Sequence, residues 1–156
     1  MPKIKVAVAG CLGRMGQEIV SKILSNNKLI FVGGFEYKSH PMINKKISDV
    51  SNIDSHLIVT GDADQVIKSA DVLIDFTVPG STLLNIKKAA TNNTAIVIGT
   101  TGIKTNQKNK IKSYSKKIPI LMSSNMSLGV NLLFNLVQQT ASILKDSEYD
   151  IEIFFE

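Results

Sequence analysis

The sequence predicts an α/β fold, a parallel sheet with helices on its faces, and three observations predict it. Short apolar runs alternate with amphipathic helical stretches almost to the end of the chain. The first apolar run passes directly into Gly10-x-x-Gly13-x-x-Gly16 and then a helical pattern. Glycine, hydroxyl and amide residues gather immediately after four of the predicted strands and an acid, Glu36, after a fifth, where ligands of open parallel sheets sit.

Taken in order, Lys3–Ala9 is the first strand, and Met15, Ile19, Val20, Ile23 and Leu24 give the following helix, Met15–Ser25, an apolar stripe. Leu29–Phe35 is the second strand. Residues 37–55 have no clear period and contain His40, Pro41 and several Asn, Asp and Ser residues, so they read as a long loop. Strands follow at Leu57–Thr60, Val72–Phe76, Ala95–Ile98, Ile118–Met122 and Ile151–Phe155. Helices are expected at Asp64–Ser69, Ser81–Thr91, Thr105–Lys116 and Gly129–Leu144. No internal repeat or low-complexity linker interrupts the pattern.

The chain has 156 residues, 44% of them hydrophobic, enough for one domain with a core and a fragment of a second. No apolar run approaches the roughly 20 residues needed to cross a bilayer, and the N-terminus has no export signal, so the expected location is cytoplasmic. The single cysteine, Cys11, excludes an internal disulfide framework and any multi-cysteine metal site. Nothing in the sequence identifies a base for it, and packing beside the glycine turn is expected rather than reaction. The formal charge of +5 does not make a nucleic-acid binder, because 17 of the 18 basic residues are Lys and aromatic residues are only 6%. The six lysines of Lys104–Lys117 instead fit the solvated face of a helix. That charge can still draw anionic small molecules to a cleft.

The glycine turn points to a nucleotide. Glycines let the backbone approach a pyrophosphate closely, and the helix start behind them offers N–H groups and a favourable dipole. Its spacing departs from the commoner G-x-G-x-x-G, and a turn that simply joins strand to helix is the plain alternative. Glu36 ends the second strand twenty positions after Gly16, where an acid can hold an adenosine ribose or stand as an exposed strand-end carboxylate. Thr77-Val78-Pro79-Gly80, Gly99-Thr100-Thr101-Gly102 and Ser123-Ser124-Asn125-Met126-Ser127 follow later strands. Each has an ordinary reading as a turn or a proline-initiated helix, yet their common placement favours one shared cleft.

Five pieces carry a resemblance: VAGxxGRMG (Val8–Gly16), DFTxP (Asp75–Pro79), IGTTG (Ile98–Gly102), SNMSxGVN (Ser124–Asn131) and DIEI (Asp150–Ile153). In this order and spacing the chain resembles the dihydrodipicolinate reductase family, the 4-hydroxy-tetrahydrodipicolinate reductases of diaminopimelate and lysine biosynthesis. The resemblance implies a Rossmann-like doubly wound parallel sheet over residues 1–126, with residues 127–156 beginning a second, α+β substrate-binding and oligomerisation domain. It implies NADH or NADPH as hydride donor, a small dicarboxylate substrate, and a homotetramer built through the second domain. Gly10, Cys11, Leu12, Gly13, Arg14 and Met15 would then hold the pyrophosphate, with Glu36 on the ribose. Gly99, Thr100, Thr101, Ser123, Ser124, Asn125 and Met126 would line the nicotinamide and substrate side. Arg14 is otherwise a solvent-facing residue of a first helical turn.

Two departures from the family pattern stand out. Some members place Arg after the ribose-binding Glu, where it meets a 2′-phosphate; this chain has Tyr37 and then Lys38. Tyrosine can stack on adenine but cannot neutralise a phosphate, so NADH is expected to serve at least as well as NADPH, with Lys38 a partial substitute. The family's acid/base residues, a His-His pair and a Lys, lie past a Glu that follows the DIEI strand, hence beyond Glu156. Neither His40 nor His56 occupies that place, and no catalytic residue is expected within the chain. A reductase truncated before its acid/base residues, or a catalytically silent nucleotide-binding module, are the two readings this leaves. The apolar helix Gly129–Leu144 and the strand after it are expected to drive association.

Overall fold

The computed structural model describes residues 2–145 and Glu152. The chain divides into two compact units, Met1–Ser124 and Asn125–Glu156.

The first unit is built on five parallel strands. These are β1 (Ile4–Ala9), β2 (Leu29–Phe35), β3 (Val72–Asp75), β4 (Ala95–Ile98) and β5 (Ile120–Met122). The order is β2-β1-β3-β4-β5, so the chain runs outward from β1 to one edge and then returns to build the other side. That reversal opens a crevice beyond the carboxyl ends of β1 and β3. Helices α1 (Arg14–Leu24), α2 (Ile47–Val50), α3 (Ala63–Lys68), α4 (Pro79–Thr91) and α5 (Thr105–Tyr114) make the crossovers.

Alternation along β1 builds the two layers of core. Val6 and Val8 pack with Val20, Ile23, Phe31, Ile47 and Val59 on one face. Ala7 and Ala9 point the other way, into Ile67, Leu73, Ile86, Ile96, Ile98 and Ile111. The small alanines on that face let α3 and α4 come close to the sheet.

The segment between β2 and α3 corrects the sequence reading twice. Residues 37–55, expected to be a loop, contain α2, a single helical turn whose Ile47 is fully buried. Four residues cannot display a helical period, and α2 has no side-chain cap to announce it. Leu57–Thr60, expected as a strand, forms only isolated bridges, Phe35 with Thr60 in parallel and Lys46 with Ile58 antiparallel. Val59 alone of the run goes fully into the core, which is too little to hold a ladder. Within residues 2–145 the other expected strands and helices are present with ends shifted by up to two residues.

In the second unit, Ser127 caps helix α6 (Leu128–Leu144), its Oγ accepting from the Val130 N–H at 3.4 Å. No side chain of α6 is buried. The expected strand Ile151–Phe155 lies outside the described residues apart from Glu152.

Candidate functional site

At the end of β1 the chain turns through Gly10, whose φ of +69° is left-handed and costs a glycine little. The Gly10 N–H donates to the Phe35 carbonyl at 2.9 Å, pinning the turn to the end of β2. A Cβ at position 10 would stand 2.9 Å from Thr77 Cγ2, so the residues after β3 press directly on the turn. Gly16 is required for a different reason: a Cβ there would lie 2.0 Å from the Gly10 carbonyl oxygen, because α1 is seated tightly beneath the turn. Gly13 is the exposed member of the triplet and the N-cap of α1.

The start of α1 is open to an anion. Its first-turn amides, on Arg14, Met15 and Gly16, have no partner within the helix. No side chain caps them and no acidic residue sits in the first turn. A positive helix end bounded by glycine is suited to a diphosphate. Arg14 and Met15 are exposed beside it.

Glu36, at the end of β2, is half-buried, and its Oε1 accepts from the Leu12 N–H at 2.8 Å. The carboxylate is thereby held across the mouth of the glycine turn, where a ribose attached to a diphosphate would bring its hydroxyls. Glu36, Gly10 and Gly13 line a cleft of about 560 Å³ with Tyr37, Lys38 and Gly61 on one side and Thr77, Val78, Leu84, Asn85 and Lys88 on the other. Lys88 forms an ion pair with Asp64 at the rim. Tyr37 is 60% exposed and meets the His40 ring edge-on at 5.1 Å between centroids, which leaves its own ring available to a flat base.

Cys11 turns away from this space. It is fully buried and packed on Gly34, where a Cβ would come within 2.6 Å of its Sγ. Burial, and secondarily the Glu36 charge, push the thiol up to about 12 from 9.0, so it is neither a nucleophile nor a ligand donor to the cleft.

The residues after β4 divide. Gly99 lies under the Phe76 ring, with Phe76 Cε1 at 2.1 Å from where a Cβ would be, so its bareness admits an aromatic ring. Thr100 is buried and its hydroxyl bonds to the Thr82 hydroxyl at 2.8 Å and accepts from the Thr77 N–H at 3.1 Å. Thr101 is exposed. After β5, the Ser123 N–H donates to the Ile98 carbonyl at 3.1 Å and Ser124 is exposed. Asn125 and Met126 belong to the second unit, where Asn125 Oδ1 accepts from the Ser127 N–H at 2.8 Å and Met126 is 39% exposed.

Sequence reasoning missed Leu84, Asn85 and Lys88, which line the cleft from one face of α4 at positions a helical turn apart. Their spacing was visible, but only the folded topology brings α4 over the glycine turn. Both histidines are elsewhere: His40 Nδ1 accepts from the Met42 N–H at 3.2 Å, and His56 lines a separate cavity beside β2. No helix among the described residues is long and apolar enough to cross a membrane.

Sheet order, glycine turn and strand-end acid define a Rossmann-like α/β domain. Residues 4–126 match the family model described as dihydrodipicolinate reductase, N-terminus. The chain belongs to the dihydrodipicolinate reductase family, one of pyridine-nucleotide reductases. It is 41% identical over 154 residues to the 4-hydroxy-tetrahydrodipicolinate reductase of Wolbachia sp. subsp. Brugia malayi (strain TRS), covering 97% of this chain and 57% of that protein. The enzyme of the same name from Pelagibacter ubique (strain HTCC1062) is 40% identical, with 99% of this chain and 55% of that protein covered. The chain thus spans little more than half the length of these relatives.

Among solved structures, dipicolinate-bound dihydrodipicolinate reductase from Paenisporosarcina sp. TG-14 superposes with a TM-score of 0.72 at 25% identity, over 90% of this chain and 54% of that one. Aspartate semialdehyde dehydrogenase with NADP from Candida albicans shares the fold alone, at TM-score 0.58 and 14% identity over 77% of this chain and 42% of the other.

Proposed function

We propose that this chain is the cofactor-binding part of an NAD(P)H-dependent reductase that converts 4-hydroxy-tetrahydrodipicolinate to tetrahydrodipicolinate, serving diaminopimelate and lysine biosynthesis in the cytoplasm. The observation that carries the reading is the uncapped start of α1 behind Gly10 and Gly13, with Glu36 held across it by the Leu12 N–H. The residues present fit a dinucleotide: bare main-chain donors for the diphosphate, a carboxylate for the ribose and a cleft of about 560 Å³ beside them.

The amides of Arg14, Met15 and Gly16 bind the diphosphate, and the Arg14 guanidinium adds charge from the helix start. Glu36 accepts from the adenosine ribose hydroxyls, and Tyr37 stacks on the adenine. With a carboxylate at that ribose and Tyr37 where an Arg would neutralise a 2′-phosphate, NADH is used at least as well as NADPH, Lys38 offsetting part of the difference. When bound, the cofactor would supply a hydride to the ring carbon that gives up its hydroxyl as water, a proton being taken up in the same conversion. Gly99, Thr100, Thr101, Ser123 and Ser124 form the nicotinamide and substrate side, and a small dicarboxylate, as in the dipicolinate-bound relative, is the substrate class. Residues 1–126 act as the cofactor domain, and residues 127–156 contribute to a substrate-binding and oligomerisation domain through which the protein forms a homotetramer.

Fluorescence titration of the purified chain with NADH and NADPH tests this. Saturable binding with NADH at least as tight as NADPH is expected; no binding of either removes the reading.

A further inference from the structure

Beneath the turns that follow β3 and β4 lies a fully buried carboxylate, Asp75, the last residue of β3. Its Oδ1 accepts from the Thr77 N–H at 3.0 Å and the Thr77 hydroxyl at 2.6 Å, and its Oδ2 accepts from Asn85 Nδ2 at 2.9 Å. The Thr100 hydroxyl stands 3.4 Å from Oδ1. The same hydroxyl accepts from the Thr77 N–H at 3.1 Å and meets the Thr82 hydroxyl at 2.8 Å. Every one of these partners is neutral, and together they come from three places: the turn after β3, helix α4 and the turn after β4.

An apolar residue would fill a core position more cheaply than an acid that needs several donors aimed at it. What the acid adds is direction. The shared Thr77 N–H and the Thr100 hydroxyl tie the two turns to one point, and the Phe76 ring closes over Gly99 between them. The glycine turn and Glu36 have hydrogen bonds of their own, Gly10 to Phe35 and Leu12 to Glu36, and Thr77 meets the turn by its methyl group, which packs over Gly10.

We propose that Asp75 is a positioning residue for the cofactor. Through Thr77 and Thr100 it fixes the two turns against which the nicotinamide half rests, while the adenosine half is anchored by hydrogen bonds in which Asp75 has no part. This rests on the dinucleotide reading above.

The test titrates NADH and ADP into the full chain and into Thr100→Val, Thr100→Ser and Asp75→Asn. Amide exchange at Thr77 is followed without nucleotide. Thr100→Val and Asp75→Asn are expected to weaken NADH about tenfold, leave ADP unchanged and speed Thr77 exchange, with Thr100→Ser restoring all three. Should Asp75→Asn not fold, the milder Thr100→Val decides alone. NADH and ADP weakened alike, or NADH unaffected, overturns the positioning role and leaves the dinucleotide reading intact. An unsubstituted chain that binds neither nucleotide overturns both.

Discussion

Glu36 does two things with one carboxylate. It accepts from Leu12 in the glycine turn, and it presents charge to the cleft that Tyr37 and Lys38 also line. Charge-assisted bonds to a ribose are worth about 1.5–3 kcal/mol, so Glu36→Gln is expected to weaken NADH about tenfold or more. NADPH should lose less, since the same change removes repulsion of its 2′-phosphate. Paired titrations check the ratio; an equal loss for both contradicts the assignment. Cys11 makes a pH prediction. Its folded thiol is pushed up to about 12 from 9.0, so the protonated form is native. Its contribution to stability is therefore complete below about pH 9 and is lost as pH rises toward 12. Melting temperatures followed across that window should fall more steeply for the chain than for Cys11→Ala; parallel curves would contradict it. At this scale the sequence showed Glu36 and the glycines, whose places after β2 and β1 follow from chain order. It did not show that Thr100 is consumed by Thr77, Thr82 and Asp75, because those bonds depend on three elements meeting.

Among the elements, the glycine turn and α1 behave as one unit. A methyl at Gly16 would meet the Gly10 carbonyl oxygen at 2.0 Å and Cys11 Cα at 2.8 Å, backbone atoms that cannot swing aside. Gly16→Ala is expected to cost about 3 kcal/mol, read as a large drop in melting temperature. Gly80, in α4, has nothing within 4 Å of its Cβ position, so Gly80→Ala should stabilise by about 0.5–1 kcal/mol. Similar melting temperatures for the two variants would contradict the packing described. The strands of the sheet could be read from their runs because apolar residues on both faces of β1, β3 and β4 leave few other foldings. The one-turn α2 and the bridged run Leu57–Thr60 could not, since each is held by tertiary contacts of single residues such as Ile47 and Val59.

For the molecule as a whole, α6 presents a long apolar surface. Leu128 is 86% exposed and Ile143 81%, and Leu132, Leu133, Phe134 and Leu136 are each more than half exposed. Such a face in water favours self-association. Sedimentation velocity is expected to show concentration-dependent oligomers that Leu132→Lys with Leu136→Lys reduces, whereas a monomer at every concentration would contradict this. The order β2-β1-β3-β4-β5 places the crevice beyond β1 and β3, and that crevice is where the glycine turn, Glu36 and α4 meet. The central claim, that a dinucleotide binds there through main-chain donors, is tested most directly by amide shifts in an NMR titration with NADH. The Leu12, Arg14, Met15, Gly16 and Glu36 amides should move first and saturate together. Saturable shifts that leave these five unmoved and gather elsewhere would contradict the account.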